Sequence, residues 1–196
     1  MIRALSFLGV LAVAVAPTMA SAQAFGVQKG DPVSKHAGKR HNDSATMFVI
    51  SVPDPNPEFE LYVASAAPGV GICRVTGIGK TYKNDEYGTS AKAAYDRFKS
   101  ALTSRYGNSK AFDFLRSGAL WDEPREWVWS IYKDERTLSS YWDEEEHSNL
   151  PAGLLSVSLK ARSVNPSSGA YLTVTYEFTN LEQCNAVERK ADQRGL

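Results

Sequence analysis

The chain has 196 residues, 43% of them hydrophobic and 22% charged, which is enough for one domain or for two small, intimately packed halves. Its 22 basic and 22 acidic residues balance, and this excludes the strong positive field of a nucleic-acid binder or a polybasic membrane binder. The two cysteines, Cys73 and Cys184, form no CxxC and lack the ligand spacing of a zinc site.

Met1-Ile2-Arg3 precedes an apolar block from Ala4 to Ala16, and Ala20-Ser21-Ala22 follows with the small-x-small pattern of an export cleavage site. A signal peptide is expected over residues 1–22, and a single domain over 23–196 that is periplasmic or secreted. No later stretch approaches about 18 consecutive apolar residues, so no membrane insertion is expected after the signal is removed. In an oxidising compartment Cys73 and Cys184 are expected to form a disulfide. Closing so long a loop is worth roughly 4 to 5 kcal/mol on the chain-entropy model.

From Gln23 to Ala45 the chain is polar. Asp31-Pro32 can start a short helix, since Asp caps and Pro suits a first helical turn. His36, His41 and Asp43 lie in a Lys/Arg-rich stretch and read as solvated residues, because they lack ligand spacing. Thr46–Val52, Glu58–Ala64 and Val70–Tyr82 read as three strands of a meander, with Phe59, Leu61 and Val63 alternating against Glu58, Glu60 and Tyr62. Gly71, Gly77 and Gly79 in the third strand point to a bulge or a close backbone approach. Gly79-Lys80-Thr81 is not a phosphate-binding loop, since Arg74 stands where that motif needs its first glycine.

Helical spacing then sets in. Ala91, Ala94, Tyr95, Phe98, Ala101, Leu102 and Tyr106 share one face, Thr89 or Ser90 can cap the start, and Gly107 suits the end. Asn108–Ser117 reads as a second short helix folded back on the first. Glu126–Lys133 and Thr137–Trp142 read as a hairpin about Asp134-Glu135-Arg136, with Trp127, Trp129 and Ile131 on one face. A further hairpin joins Leu154–Val164 to Ala170–Phe178. Leu155, Val157, Leu159 and Ala161 should face Leu172, Val174, Tyr176 and Phe178 in the core, leaving Ser156, Ser158, Lys160, Arg162, Thr173, Thr175 and Glu177 on a wet face. A helix from about Glu182 to Asp192 closes the chain with Cys184 in its first turn.

The expected fold class is therefore α+β: an antiparallel sheet built as a three-stranded meander, a helix pair, a four-stranded meander and a C-terminal helix, with helices on one face. Two related halves, about 23–84 and 85–196, would fit that order.

Asp143-Glu144-Glu145-Glu146-His147 is the densest ionisable run, but consecutive carboxylates on a loop lack the alternating pattern of a calcium site. No metal or cofactor is expected. No G-x-S-x-G, H-E-x-x-H or Cys/His nucleophile pattern occurs, and no catalytic residue can be assigned. All four tryptophans fall between Trp121 and Trp142. Tryptophan is mostly buried on average, yet it also anchors partner surfaces. The candidate binding surface is Trp129, Tyr141, Trp142, Asp143, Glu145, Glu146 and His147.

Gly71-Ile72-Cys73-Arg74-Val75-Thr76-Gly77-Ile78-Gly79, the Arg105-Tyr106-Gly107 helix end, Trp121, Trp127 to Trp129, and Tyr176-Glu177-Phe178-Thr179-Asn180 before Cys184 resemble exported, periplasmic proteins of Gram-negative bacteria that bring no characterised activity. The order of a helix pair followed by a four-stranded sheet is also similar to a repeat of the β-lactamase inhibitor protein fold, a likeness of fold alone. The expected function is a non-enzymatic binding or inhibitor-like protein of the cell envelope, with another envelope protein as partner. The alternatives are a hydrolase of envelope polymers using Asp143, Glu145 or Glu146, and a structural envelope component.

Overall fold

The computed structural model describes residues 22–41, 44 and 46–193. The expected signal peptide up to Ser21, and Asp43, lie outside the described residues. The architecture is α+β: three helices, a small two-stranded sheet and one eight-stranded antiparallel sheet. The small sheet pairs β1 (Gln23–Ala24) with β2 (Val27–Gln28).

The large sheet is made of two sequential meanders. The first runs through β3 (Lys39–Arg40), β4 (Met47–Val49), β5 (Phe59–Ala67) and β6 (Gly71–Gly79). The second runs through β7 (Lys110–Leu115), β8 (Arg136–Trp142), β9 (Leu154–Asn165) and β10 (Gly169–Phe178). They meet where β6 pairs with β10, from Arg74 opposite Glu177 to Ile78 opposite Thr173. The close approach expected of the β6 glycines occurs at Gly71, where a Cβ would lie 2.1 Å from the Gly30 carbonyl oxygen.

Helix α1 (Thr89–Tyr106) buries Ala91, Ala94, Tyr95, Leu102 and Tyr106 against β9 and β10. Its start is capped from further upstream than Thr89 or Ser90. The Asp85 carboxylate accepts the Ser90 and Ala91 N–H groups at 3.1 and 3.0 Å, and Gly88 turns the chain in a left-handed conformation. Gly107 ends the helix with φ 77°, as its missing Cβ permits.

Two elements of the expected order are corrected. Residues 110–115 are the edge strand β7, paired with β8 from Lys110 opposite Tyr141 to Leu115 opposite Arg136. Phe112 and Phe114 alternate there, and Phe112 meets Tyr141 edge-on with ring centroids 5.8 Å apart; cross-strand aromatic pairing outweighs a weak helical pattern. Conversely, the first strand expected in the tryptophan hairpin is helical. Pro124–Glu126 forms a 3-10 turn, and helix α2 follows from Trp127 to Tyr132. Glu123 and Glu126 cap this start reciprocally, with Pro124 in its first turn, a start signal that the aromatic alternation masks. Burial of Trp127, Val128, Ser130 and Ile131 follows helical spacing and leaves Trp129 and Tyr132 outward. The helix pair that carried the likeness to the inhibitor repeat is thus one helix and one strand.

The β9–β10 hairpin forms, but Leu155 is 46% exposed while Leu154 is buried. A bulge between Glu177 and Phe178 shifts the register, so that Leu154 pairs with Phe178 and takes the core position. Val157, Leu159, Leu172, Val174 and Phe178 join Trp142 and the α1 residues in the main core.

The disulfide between Cys73 and Cys184 is present. It anchors helix α3 (Leu181–Gln193) over a separate apolar cluster of Ala67, Cys73, Leu181 and Cys184. Ala66 belongs to the main core and its neighbour Ala67 to this cluster, as alternation along a strand requires. No helix among the described residues is long and apolar enough to cross a membrane.

The expected short helix is a 3-10 turn at Val33–His36. Its His36 is buried, a correction to the solvated reading, and its Nε2 lies 2.8 Å from Asp31 Oδ2. Burial pushes the Asp31 carboxyl up, but hydrogen bonds from Lys35, His36 and the Gln28 N–H outweigh it and hold the group below its ordinary value.

Candidate functional site

The residues of the expected surface are not brought together. Trp142 is fully buried and its Nε1 donates to the Gly107 carbonyl at 3.2 Å. It is a core residue whose one polar atom is satisfied, so its place on a binding surface is corrected. Asp143 to His147 form a turn at the C-terminal end of β8. Asp143 Oδ1 accepts the Glu146 N–H at 3.1 Å, and Glu146 lies 3.5 Å from the Lys110 ammonium. Glu145 and His147 are exposed. Trp129 belongs to α2, which leads into the opposite end of β8, and a strand of 7 residues spans roughly 20 Å. The acidic turn and Trp129 therefore cannot touch one ligand group. Tyr141 faces away from Trp142 by strand alternation and lies beneath Lys160, whose Nζ is 4.9 Å from the ring centroid.

Trp129 instead joins Trp121 and Tyr132. The Trp121 and Trp129 rings stack with centroids 4.4 Å apart and planes 12° from parallel. Tyr132 meets Trp129 edge-on at 6.0 Å. Trp129 is 37% exposed, Tyr132 38% and the adjacent Leu120 82%. Trp127, one position before Val128 on the same helix, is buried, with the Lys92 ammonium 5.0 Å from its ring centroid.

What holds the stack is Glu135, a residue the sequence did not single out. It is only 4% exposed, and its Oε2 accepts the N–H groups of both Leu120 and Trp121 at 2.9 Å. Its other oxygen lies 3.4 Å from Arg116 Nη2. A buried carboxylate thus fixes the loop after β7 beside α2 and places Trp121 on Trp129. The signal was present as an acid in the Asp134-Glu135-Arg136 turn, but a turn acid is ordinarily solvated, and its burial depends on a loop some 15 residues earlier.

Beside the stacked rings lies a hollow of about 410 Å³ bordered by Trp121, Trp129, Asp85, Glu86 and Glu126, with Arg125 as its one cation and the β9–β10 turn closing it. Three carboxylates beside an electron-rich ring pair favour a cationic group. Two of the three are also engaged within the fold, since Asp85 caps α1 and Glu126 accepts the Glu123 N–H. Among the described residues no cluster of His, Cys, Asp and Glu has metal-holding geometry. No family model, curated protein or solved structure matches the chain, so any functional reading rests on its own geometry.

Proposed function

We propose that this is an exported binding protein of the cell envelope that captures a cationic segment of another envelope protein in the hollow beside Trp121 and Trp129. The observation that carries it is the stacked, partly exposed tryptophan pair, held in place by a buried glutamate and bordered by Glu86 and Glu126. Rings needed only for packing would be covered as Trp127 and Trp142 are, whereas aromatic anchors of interfaces keep a rigid exposed face. Export is supported by the N-terminal Met1–Ala22 pattern together with the Cys73–Cys184 bridge.

Titration with an octapeptide of alternating Arg and Gly, followed by tryptophan emission, tests the reading. Binding is expected to perturb the emission and to weaken about tenfold in Trp129→Ala, the scale of a desolvated cation–π contact. A folded Trp129→Ala protein that binds the peptide as well as the parent overturns it. Glu126→Gln should weaken the same binding and reduce its dependence on salt.

A further inference from the structure

The sheet forks between β8 and β9. Their ladder runs from Trp142 opposite Val157 to Ser139 opposite Lys160 and goes no further. Beyond it, Arg136 to Leu138 stay paired only with β7, and Ala161 and Arg162 only with β10. The separated segments, with the end of α2, enclose a cleft of about 480 Å³. That is within the range of small-ligand sites, about 300 to 1,000 Å³.

Its chemistry is distinct from that of the tryptophan hollow. Arg136, Lys160 and Arg162 line it, against Asp134 as the one acidic residue among its walls. Among the described residues, Arg136 alone of these cations is ion-paired, through a 3.7 Å contact to the exposed Asp113. Two polar atoms in the walls are buried without a hydrogen-bond partner, Arg136 Nε and Ser139 Oγ. Ser139 is only 2% exposed, and a buried donor left unmade is costly enough that such a group ordinarily marks a place for solvent or ligand. Tyr132, Tyr141, Tyr171, Thr137 and Ser163 line the same space, the Ser163 hydroxyl donating to the Gly169 carbonyl.

We propose that this fork is a binding site for an acidic saccharide, a sugar bearing a carboxylate or phosphate. The anion sits against Ser139 Oγ with Lys160, its cross-strand partner, and Arg162 on the same face of the sheet, and the sugar lies across the tyrosines. Charge alone would suit any small anion, but a free phosphate fills only a small part of the cleft and leaves its rings and outer hydroxyls unused. Donors already fixed by the β7–β8 and β9–β10 ladders need little reordering on binding, which favours affinity. The site shares only Tyr132 with the Trp129 surface and does not depend on the function proposed for that surface.

Calorimetric titration of the full chain with trigalacturonate, glucose 6-phosphate, maltotriose and inorganic phosphate tests this. At least one of the two acidic sugars is expected to bind, more tightly than maltotriose and than phosphate. Arg162→Gln, at an exposed position where the fold is not at stake, should weaken it about tenfold, the loss of a charge-assisted hydrogen bond, and Ser139→Ala should weaken it several-fold. Glu126→Gln, which should weaken the cationic peptide and lies outside this cleft, should leave it unchanged, so failure here and failure of the cationic-partner reading are separable. Silence from both acidic sugars, equal binding of maltotriose, equal binding of inorganic phosphate, or an unchanged affinity in Arg162→Gln each overturns the proposal.

Discussion

Tyr95 on α1 and Ser140 on β8 place their oxygens 2.6 Å apart in the buried interior, a hydrogen bond that joins helix to sheet. Burial pushes the Tyr95 hydroxyl up to about 12, although the Ser140 bond works the other way. A raised value means that the folded state prefers the neutral phenol. The stability so contributed is complete below the ordinary value near 10 and is lost as pH rises toward 12. Tyr95→Phe should cost about 1 to 2 kcal/mol at neutral pH, because Ser140 keeps a buried hydroxyl without a partner. Urea unfolding from pH 8 to 12 should show a smaller alkaline loss in the variant than in the parent. Ser140 was not readable as a partner of Tyr95, since nothing local links residues 45 positions apart. The same holds for Glu135 and Trp121, whereas Trp129 was a candidate from its chemistry alone, although the strand reading placed it on one face with the buried Trp127 and Ile131.

Elements with strong, regular alternation or helical spacing were legible: α1 and the β9–β10 hairpin stand where the pattern places them, and β5 forms, but an irregularity between Phe59 and Leu61 puts Tyr62 in the main core with Phe59 in place of Leu61 and Val63. Leu155 departs because one bulge slips the register, and a bulge leaves no mark in hydrophobicity. The α2 segment failed for a different reason. With Trp, Val, Trp, Ser, Ile and Tyr in succession, both a period of two and a helical period can be drawn through it, and its capping pair Glu123 and Glu126 is the better discriminator. Its position depends on Gly88, where an added Cβ would lie 2.1 Å from the Trp127 ring in a backbone with φ 66°. Gly88→Ala should therefore cost about 2 kcal/mol or more, through both left-handed strain and displacement of Trp127. Chemical denaturation measures the cost, and altered tryptophan emission would report α2 moving. An unchanged midpoint and spectrum would mean that α2 is not seated through this contact.

Across the whole molecule, two meanders share one sheet, and the order β3 to β6 then β10 to β7 follows from α1 carrying the chain over the sheet between them. The sequence made the fold class and the disulfide legible, because two cysteines without metal-ligand spacing most simply pair with each other. It did not reveal the candidate site, whose parts come from α2, the loop after β7 and the β9–β10 turn. Breaking the Cys73–Cys184 bridge by reduction or by Cys184→Ala should lower stability by roughly 4 kcal/mol on the chain-entropy model for so long a loop. Equal unfolding midpoints with and without reductant would rule that contribution out. The bridge also closes a covalent ring containing α1, α2 and every strand from β7 to β10. A protease that cuts once within that ring, at the exposed Asn165 to Ser168 turn for example, leaves both fragments tethered. The molecule can survive such a nick with its sheet still joined, and only a reductant would let the pieces separate.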